Sequence, residues 1–278
     1  MAERRNAIIA IAATLAVPLL FWLGAALAAL SILRHGFREA SQVILWGSLP
    51  AFVWLGLGDA TPLISLFGGS LLAIVLRQTV NLGLTLIAAL AIGFVFYLVL
   101  PAAIPEALAL VQEQSETMMA TAFEANPEAW QQLKPMIMPM MVGALSAIQT
   151  LILALCLLLA RYWQAALYNL GGYSKEFHQL KLPGAYGAVV IMMMLGATAF
   201  PPAVIGILPI LTVPLVIAAC ALVHAIIARQ KLGGHWLFVF YLCAFLFGPY
   251  FYTLLIFIAA LDGFFDIGKR FKDTADPQ

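Results

Sequence analysis

Charge is scarce in this chain. Only 10% of its residues are charged, against about 25% in a soluble domain, and the 14 basic and 13 acidic side chains leave a net charge of +1. That balance gives no basic footprint for nucleic acid, and no nucleic-acid partner is expected. Cysteine is also scarce. Cys156, Cys220 and Cys243 lie in apolar runs without a CxxC pair, which argues against a disulfide scaffold or a zinc site. No fixed repeat, low-complexity tract or glycine-rich phosphate loop interrupts the sequence. His224 and His235 have no second ligand at metal spacing, so neither a metal nor a cofactor is expected. Without a Ser/His/Asp set or paired intramembrane carboxylates, the chain does not read as an enzyme.

What is present is apolar surface. Hydrophobic residues make up 64% of the 278, and the mean hydropathy is +1.00. One water-soluble core of this size cannot hide so much. The expected fold is all-α: a polytopic integral membrane helix bundle, one domain over 1–278. Eight apolar stretches run at 7–33, 40–58, 61–76, 82–101, 136–160, 185–205, 207–228 and 235–262. Crossing the hydrocarbon needs about 20 residues. The first and last stretches are longer and are broken near their middles, by Pro18 and by Gly248-Pro249. The start, with Arg4 and Arg5, reads as an uncleaved first membrane segment.

Thirteen of the fourteen Lys and Arg residues fall outside 102–135, whereas that segment holds Glu106, Glu113, Glu116, Glu124 and Glu128 and only Lys134 as a base. The positive-inside rule places 102–135 outside and both termini in the cytoplasm. Six ordinary spans then alternate from 40–58 through 207–228. Each long terminal stretch must leave and return on the cytoplasmic side, as a Pro-broken hairpin. The competing reading, one tilted helix for each, would move Arg34, Arg38 and Arg77 outside and the five glutamates inside. The segment 102–135 reads as an external amphipathic pair of helices, starting at Pro105-Glu106 and again at an Asn126 cap, that either lies on the membrane surface or forms a lid.

The most individual stretch is the internal loop 161–184, RYWQAALYNLGGYSKEFHQLKLPG. Tyr162, Trp163 and Tyr168 suit the membrane interface, Arg161, Lys175 and Lys181 suit anionic lipid headgroups, and Arg161 can grip such a headgroup through paired hydrogen bonds with Trp163 and Tyr168 stacked beside it. Gly171 and Gly172 permit a tight turn and close approach of backbone amides. Ser174 can cap a short helix carrying Glu176, Phe177 and Leu180. Candidate ligand- or partner-contacting residues are therefore Arg161, Trp163, Tyr168, Asn169, Gly171, Gly172, Glu176 and His178. Gln149, the one amide near a bilayer midplane, either bonds between helices or lines a polar site. Arg77, Gln78 and Asn81 read as a solvated turn. Asp262, Asp266 and Arg270 repeat at four-residue spacing on one face of the last helix.

The 161–182 run resembles the signature of the YybS-like family of bacterial membrane proteins, whose pattern is close to RYWQA-LYNPGGF-EFH-LRL. The match covers Arg161 to Ala165, Leu167, Tyr168, Asn169, Gly171, Gly172, Glu176, Phe177, His178, Leu180 and Leu182, and Leu170 departs from the family's proline. Leu33 to Gly36 resembles the family's first internal loop. The resemblance implies a bacterial inner membrane and carries no established activity. It also implies a distant likeness to substrate-binding subunits of energy-coupling-factor transporters, which pack on a partner through Ala-xxx-Ala faces such as Ala12/Ala16 and Ala25/Ala29. The function expected is binding or translocation of a small molecule or lipid. The alternative is a scaffold that recruits a membrane or cytoplasmic protein through 161–184. Membrane lipids are partners on either reading.

Overall fold

The computed structural model describes residues 2–124 and 126–270. Among them there is no strand. The helices are α1 (Ala2–Ala16), α2 (Phe21–His35), α3 (Phe37–Gly47), α4 (Leu49–Gly56), α5 (Thr61–Thr79), α6 (Leu82–Ala103), α7 (Pro105–Ala122), α8 (Pro127–Leu133), α9 (Ile137–Tyr168), α10 (Gly172–His178), α11 (Gly184–Leu195), α12 (Pro202–Ile205), α13 (Leu208–Arg229), α14 (His235–Phe265) and α15 (Ile267–Arg270). Among the described residues, six helical segments are long and apolar enough to cross a membrane: Pro18–His35, Thr61–Thr79, Leu82–Ala103, Pro127–Tyr168, Pro202–Arg229 and His235–Phe265. The fold is all-α and polytopic. Two of the predicted plain spans are subdivided. The 40–58 stretch breaks at Ser48, just before Pro50, into α3 and α4, and 185–205 divides into α11, a 3-10 turn and α12.

The described residues gather into two compact units, Met1–Ile92 with Gln149–Phe177 and Gly93–Ile148 with His178–Gln278, whose boundary falls inside α6 and α9 and before the last residue of α10.

In the first unit, α1 and α2 form a hairpin. The chain turns at Val17 and a 3-10 turn opened by Pro18. Gly24 lies against Leu15, where a Cβ would come within 2.7 Å of Leu15 Cγ. At the open end Arg4 pairs with Glu39 at 3.5 Å, just beyond the end of α2. Helix α1, of 15 residues, rises about 22 Å, less than the roughly 30 Å hydrocarbon core, and α2 reaches spanning length only together with the 3-10 turn before it. Ala25, Ala26, Ala28 and Ala29 are fully buried. They let α2 lie close to α5, whose Gly69 would place a Cβ 3.7 Å from the Ala25 carbonyl. The Ala25/Ala29 face is thus used inside the unit, whereas Ala16 is exposed.

In the second unit, α14 also folds back on itself. Gly248 has φ 41° and ψ −114°, outside helical values, and Pro249 has no amide to donate. Tyr241 stacks edge-on with His224 at 6.0 Å, and Tyr252 reaches Thr212 near the opposite end of α13. The chain then returns, because Arg229 donates to the Gly268 carbonyl. The Phe240 and Phe251 rings meet at 5.4 Å across the bend. In a straight helix, 11 residues would separate them by about 16 Å along the axis. The returning arm packs on α11 through Gly184, Gly187, Ala260 and Gly263.

The segment 102–135 follows its sequence signals. Helix α7 opens at Pro105 with Glu106 in its first turn, and the Asn126 side chain accepts the Ala129 amide at 3.2 Å to start α8. Only Leu108 of α7 is buried. Lys134 bridges to Glu116 at 3.1 Å, and that carboxyl is held below its usual range, first by a hydrogen bond from Gln112 and then by Lys134.

Candidate functional site

The expected ligand loop is largely helix. Helix α9 runs without a break to Tyr168, so Arg161, Trp163 and Gln164 stand on its last turns, and α10 begins at Gly172 instead of at a Ser174 cap. Gly171 takes φ +80° and makes the turn between them. The Asn169 side chain fills the space over Gly172, where a Cβ would collide with it, while a Cβ at Gly171 would meet nothing within 4 Å. Successive side chains on a helix point about 100° apart, so Arg161 and Trp163 leave α9 on different faces. Trp163 packs on the Ala25, Ala26 and Cys156 cluster. It therefore points away from Arg161, not toward a headgroup that Arg161 could hold. Gln149 donates to Ser65 Oγ at 3.0 Å and is 5% exposed, an interhelical bond within the first unit. His178 lies in the second unit. Burial pulls its pKa below the usual histidine range, helped by the nearby positive groups His224 and Arg229.

The charged ends of α2, α5, α9 and α10 meet in the first unit. Arg161 Nε donates to Glu176 Oε2 at 2.7 Å, and Arg161 Nη1 to Gln164 Oε1 at 3.2 Å. Gln164 Nε2 donates to the Leu33 carbonyl at 3.0 Å, and Arg77 Nη1 reaches the same oxygen at 2.6 Å. Leu33 lies in the last turn of α2, where carbonyls lack helical partners and carry the negative pole of the helix dipole. Gly36, at φ +83°, closes that turn by donating to the Ile32 carbonyl at 2.8 Å. Arg77, read from the sequence as part of a solvated turn, is therefore a helix-end clasp. This network lines a cavity of about 340 Å³ with Asn169 and Tyr168 in its wall.

Tyr168 also lines a larger cavity of about 520 Å³ among α1, α2, α3 and the end of α9. Its inner wall is apolar, formed by Ala7, Ala10, Ile11, Leu27, Leu30 and Val43. Its rim carries Arg4, Arg34, His35 and Glu39. The Arg34 guanidinium lies 4.7 Å from the centre of the Tyr168 ring, a cation–π contact. Glu39 accepts from Arg4 and lies 4.0 Å from His35 Nδ1. Sequence reasoning missed this site, because Arg4 and Arg34 were read only as markers of sidedness. One signal was available: Leu27, Leu30, Ser31 and Arg34 share one helical face, opposite in character to the alanine face.

In the second unit, Asp262, Asp266 and Arg270 do not share a helical face. The helix ends at Phe265 with Asp266 in the left-handed region. Asp266 pairs with Lys181 at 2.7 Å and Lys269 at 3.3 Å, while Asp262 accepts the Gly268 amide at 3.1 Å. The hydrogen bond from Lys181 does most to hold the Asp266 carboxyl below its usual range, against an opposing desolvation effect and with further help from Lys269. Among the described residues, no three His, Cys, Asp or Glu side chains are placed to hold a metal. No family model matches the chain, and neither curated proteins nor solved structures give a match.

Proposed function

We propose that this polytopic membrane protein binds a small amphipathic molecule or lipid in the 520 Å³ cavity of its first unit, as a member of a YybS-like family in a bacterial inner membrane with both termini cytoplasmic. One observation carries the reading: an apolar chamber, of a size that suits small ligands, opens at a rim of charged residues. The two Pro-broken hairpins support it, since transporters place sites at interrupted helices. Binding comes first in this reading, and passage across the membrane would follow from it. A scaffold role is the second reading, favoured by Leu170, 87% exposed at the tip of the α9–α10 turn, beside the exposed Leu167.

The test is mass spectrometry of molecules that copurify with the protein, in wild type and in Leu27→Trp, which fills the chamber. The expected result is a bound amphiphile in the wild type that is depleted in the variant at unchanged melting temperature. Should Leu27→Trp fail to fold, Leu30→Phe provides a milder filling. An unchanged set of bound molecules in a folded, filled variant would refute the cavity, and a cytoplasmic protein lost on Leu170→Asp would favour the scaffold.

A further inference from the structure

We infer that the ligand of this cavity carries an anionic, phosphate-class headgroup on a membrane-resident chain, read chiefly by Arg34, and that Glu39 holds Arg4 and His35 at the same rim when the site is empty. The inference rests on the cavity being a binding site and adds the chemistry of what it holds.

The charges at the rim are unequal. Arg4 and Arg34 are permanently cationic, His35 is a further nitrogen donor, and Glu39 is the one carboxylate. The helix ends tilt the balance further. The negative end of α2 is covered from the other side, where Arg77 and Gln164 both donate to the Leu33 carbonyl. The first turn of α3 presents the positive end of an 11-residue helix, has no side-chain cap, and contributes Glu39 and Ala40 to the lining. The net field at the mouth therefore favours an anion, with the apolar wall directly beneath it.

Arg34 is set up for the task. It forms no ion pair among the described residues, and its planar face rests on Tyr168. Stacking fixes the plane of the guanidinium and leaves its edge of N–H donors for oxygen, the geometry in which Arg grips phosphate. Glu39 lies across the same mouth, loosely held by Arg4 at 3.5 Å and His35 at 4.0 Å, with about half of its side chain exposed. Such an exposed pair is worth little and is easily exchanged for a doubly charged headgroup. The chamber beneath excludes a free inorganic ion as the preferred occupant, because a bare phosphate would leave the apolar wall uncovered.

The experiment measures binding to the full-length protein in neutral detergent, using lysophosphatidic acid, lysophosphatidylcholine and a fatty alcohol of equal chain length, with inorganic phosphate as a separate arm. Lysophosphatidic acid should bind at least about tenfold more tightly than the alcohol, the loss expected when one charge-assisted contact is removed. Arg34→Gln should abolish that preference while leaving alcohol binding unchanged. Glu39→Gln should tighten lysophosphatidic acid binding severalfold and leave the alcohol alone. A merely structural Glu39 would instead weaken all three ligands together, and that result would overturn the competitor role. Equal affinity for all three amphiphiles would overturn the headgroup assignment while leaving the cavity standing. Absence of binding by any of them would remove the cavity as a site. Binding of inorganic phosphate as tight as that of lysophosphatidic acid would overturn the membrane-resident chain.

Discussion

The returning arm of α14 is held to α11 by the absence of side chains, and a single methyl group tests that. At Gly187 a Cβ would stand 2.7 Å from the Ala260 Cβ and 2.8 Å from the Ala260 Cα. Carbon atoms pack best at about 3.5–4.0 Å, so Gly187→Ala forces the helices apart by at least roughly 0.7 Å. The obstruction includes backbone, which no rotamer change relieves. Overpacking of this kind costs about 1–3 kcal/mol. The helix propensity of Ala over Gly returns up to about 1 kcal/mol. The net expectation is a loss of about 1–2 kcal/mol in reversible unfolding titrated with denaturing detergent in mixed micelles.

Two companions make the result specific. Gly56→Ala meets nothing within 4 Å and should be neutral or slightly stabilising. Ala260→Gly removes one of the two collisions but leaves the Cα, so combining it with Gly187→Ala should recover only part of the loss. If Gly187→Ala is as stable as Gly56→Ala, the close docking of the returning arm is wrong, and the hairpin loses its anchor.

Two further outcomes follow from the charges. Asp266→Asn should destabilise the protein by a constant amount at neutral and mildly acid pH, and the gap should close as pH falls below about 4. The sign is that of a carboxyl whose pKa Lys181 lowers in the folded state, which stabilises above the unfolded value and stops doing so once it is protonated. A gap that persists into strong acid would refute the assignment. Cysteines at 118 and 175, both exposed positions, should report sidedness: an impermeant thiol reagent applied to intact cells should label 118 and spare 175, and the reverse would invert the orientation.

The sequence was most legible where a single residue dictates local geometry. Pro18 and Gly248-Pro249 marked both bends, and charge placement alone required each long stretch to return. Asn126 announced its cap and Pro105 its helix. Legibility failed where the outcome depends on partners far along the chain. Gln149 looks the same in sequence whether it faces a ligand or Ser65, 84 residues away. Arg77 looks like a loop cation until the end of α2 arrives beside it. Asp262, Asp266 and Arg270 fit a helix only if the helix continues, and the left-handed turn at Asp266 ends it. The larger cavity joins residues near 4–11, 27–43 and 167–168, and no local spacing brings those together.

The two faces of α2 explain why a chamber exists beside so tight a bundle, and why the proposed binding asks less of the fold than passage would. On one face, fully buried alanines let its neighbours come close, with Gly69 of α5 against Ala25 and Trp163 of α9 against Ala25 and Ala26. On another, Leu27, Leu30, Ser31 and Arg34 face α1 and α3, and their larger side chains hold those helices off near the open end. Towards the bend the same helices close again. Gly24 receives Leu15, Gly47 receives Ile11, and the Trp54 indole donates to the Leu15 carbonyl at 3.1 Å. The chamber is therefore a pouch closed at its inner end, open where the charges are. A ligand that enters by the rim must leave by it unless the α1–α2 hairpin moves. The one interruption that would let it move is the turn at Val17–Leu20, whose Val17 and Leu19 are exposed and whose Pro18 leaves the helix unbonded. Translocation would require that turn to open while Trp54 releases Leu15. Binding requires neither.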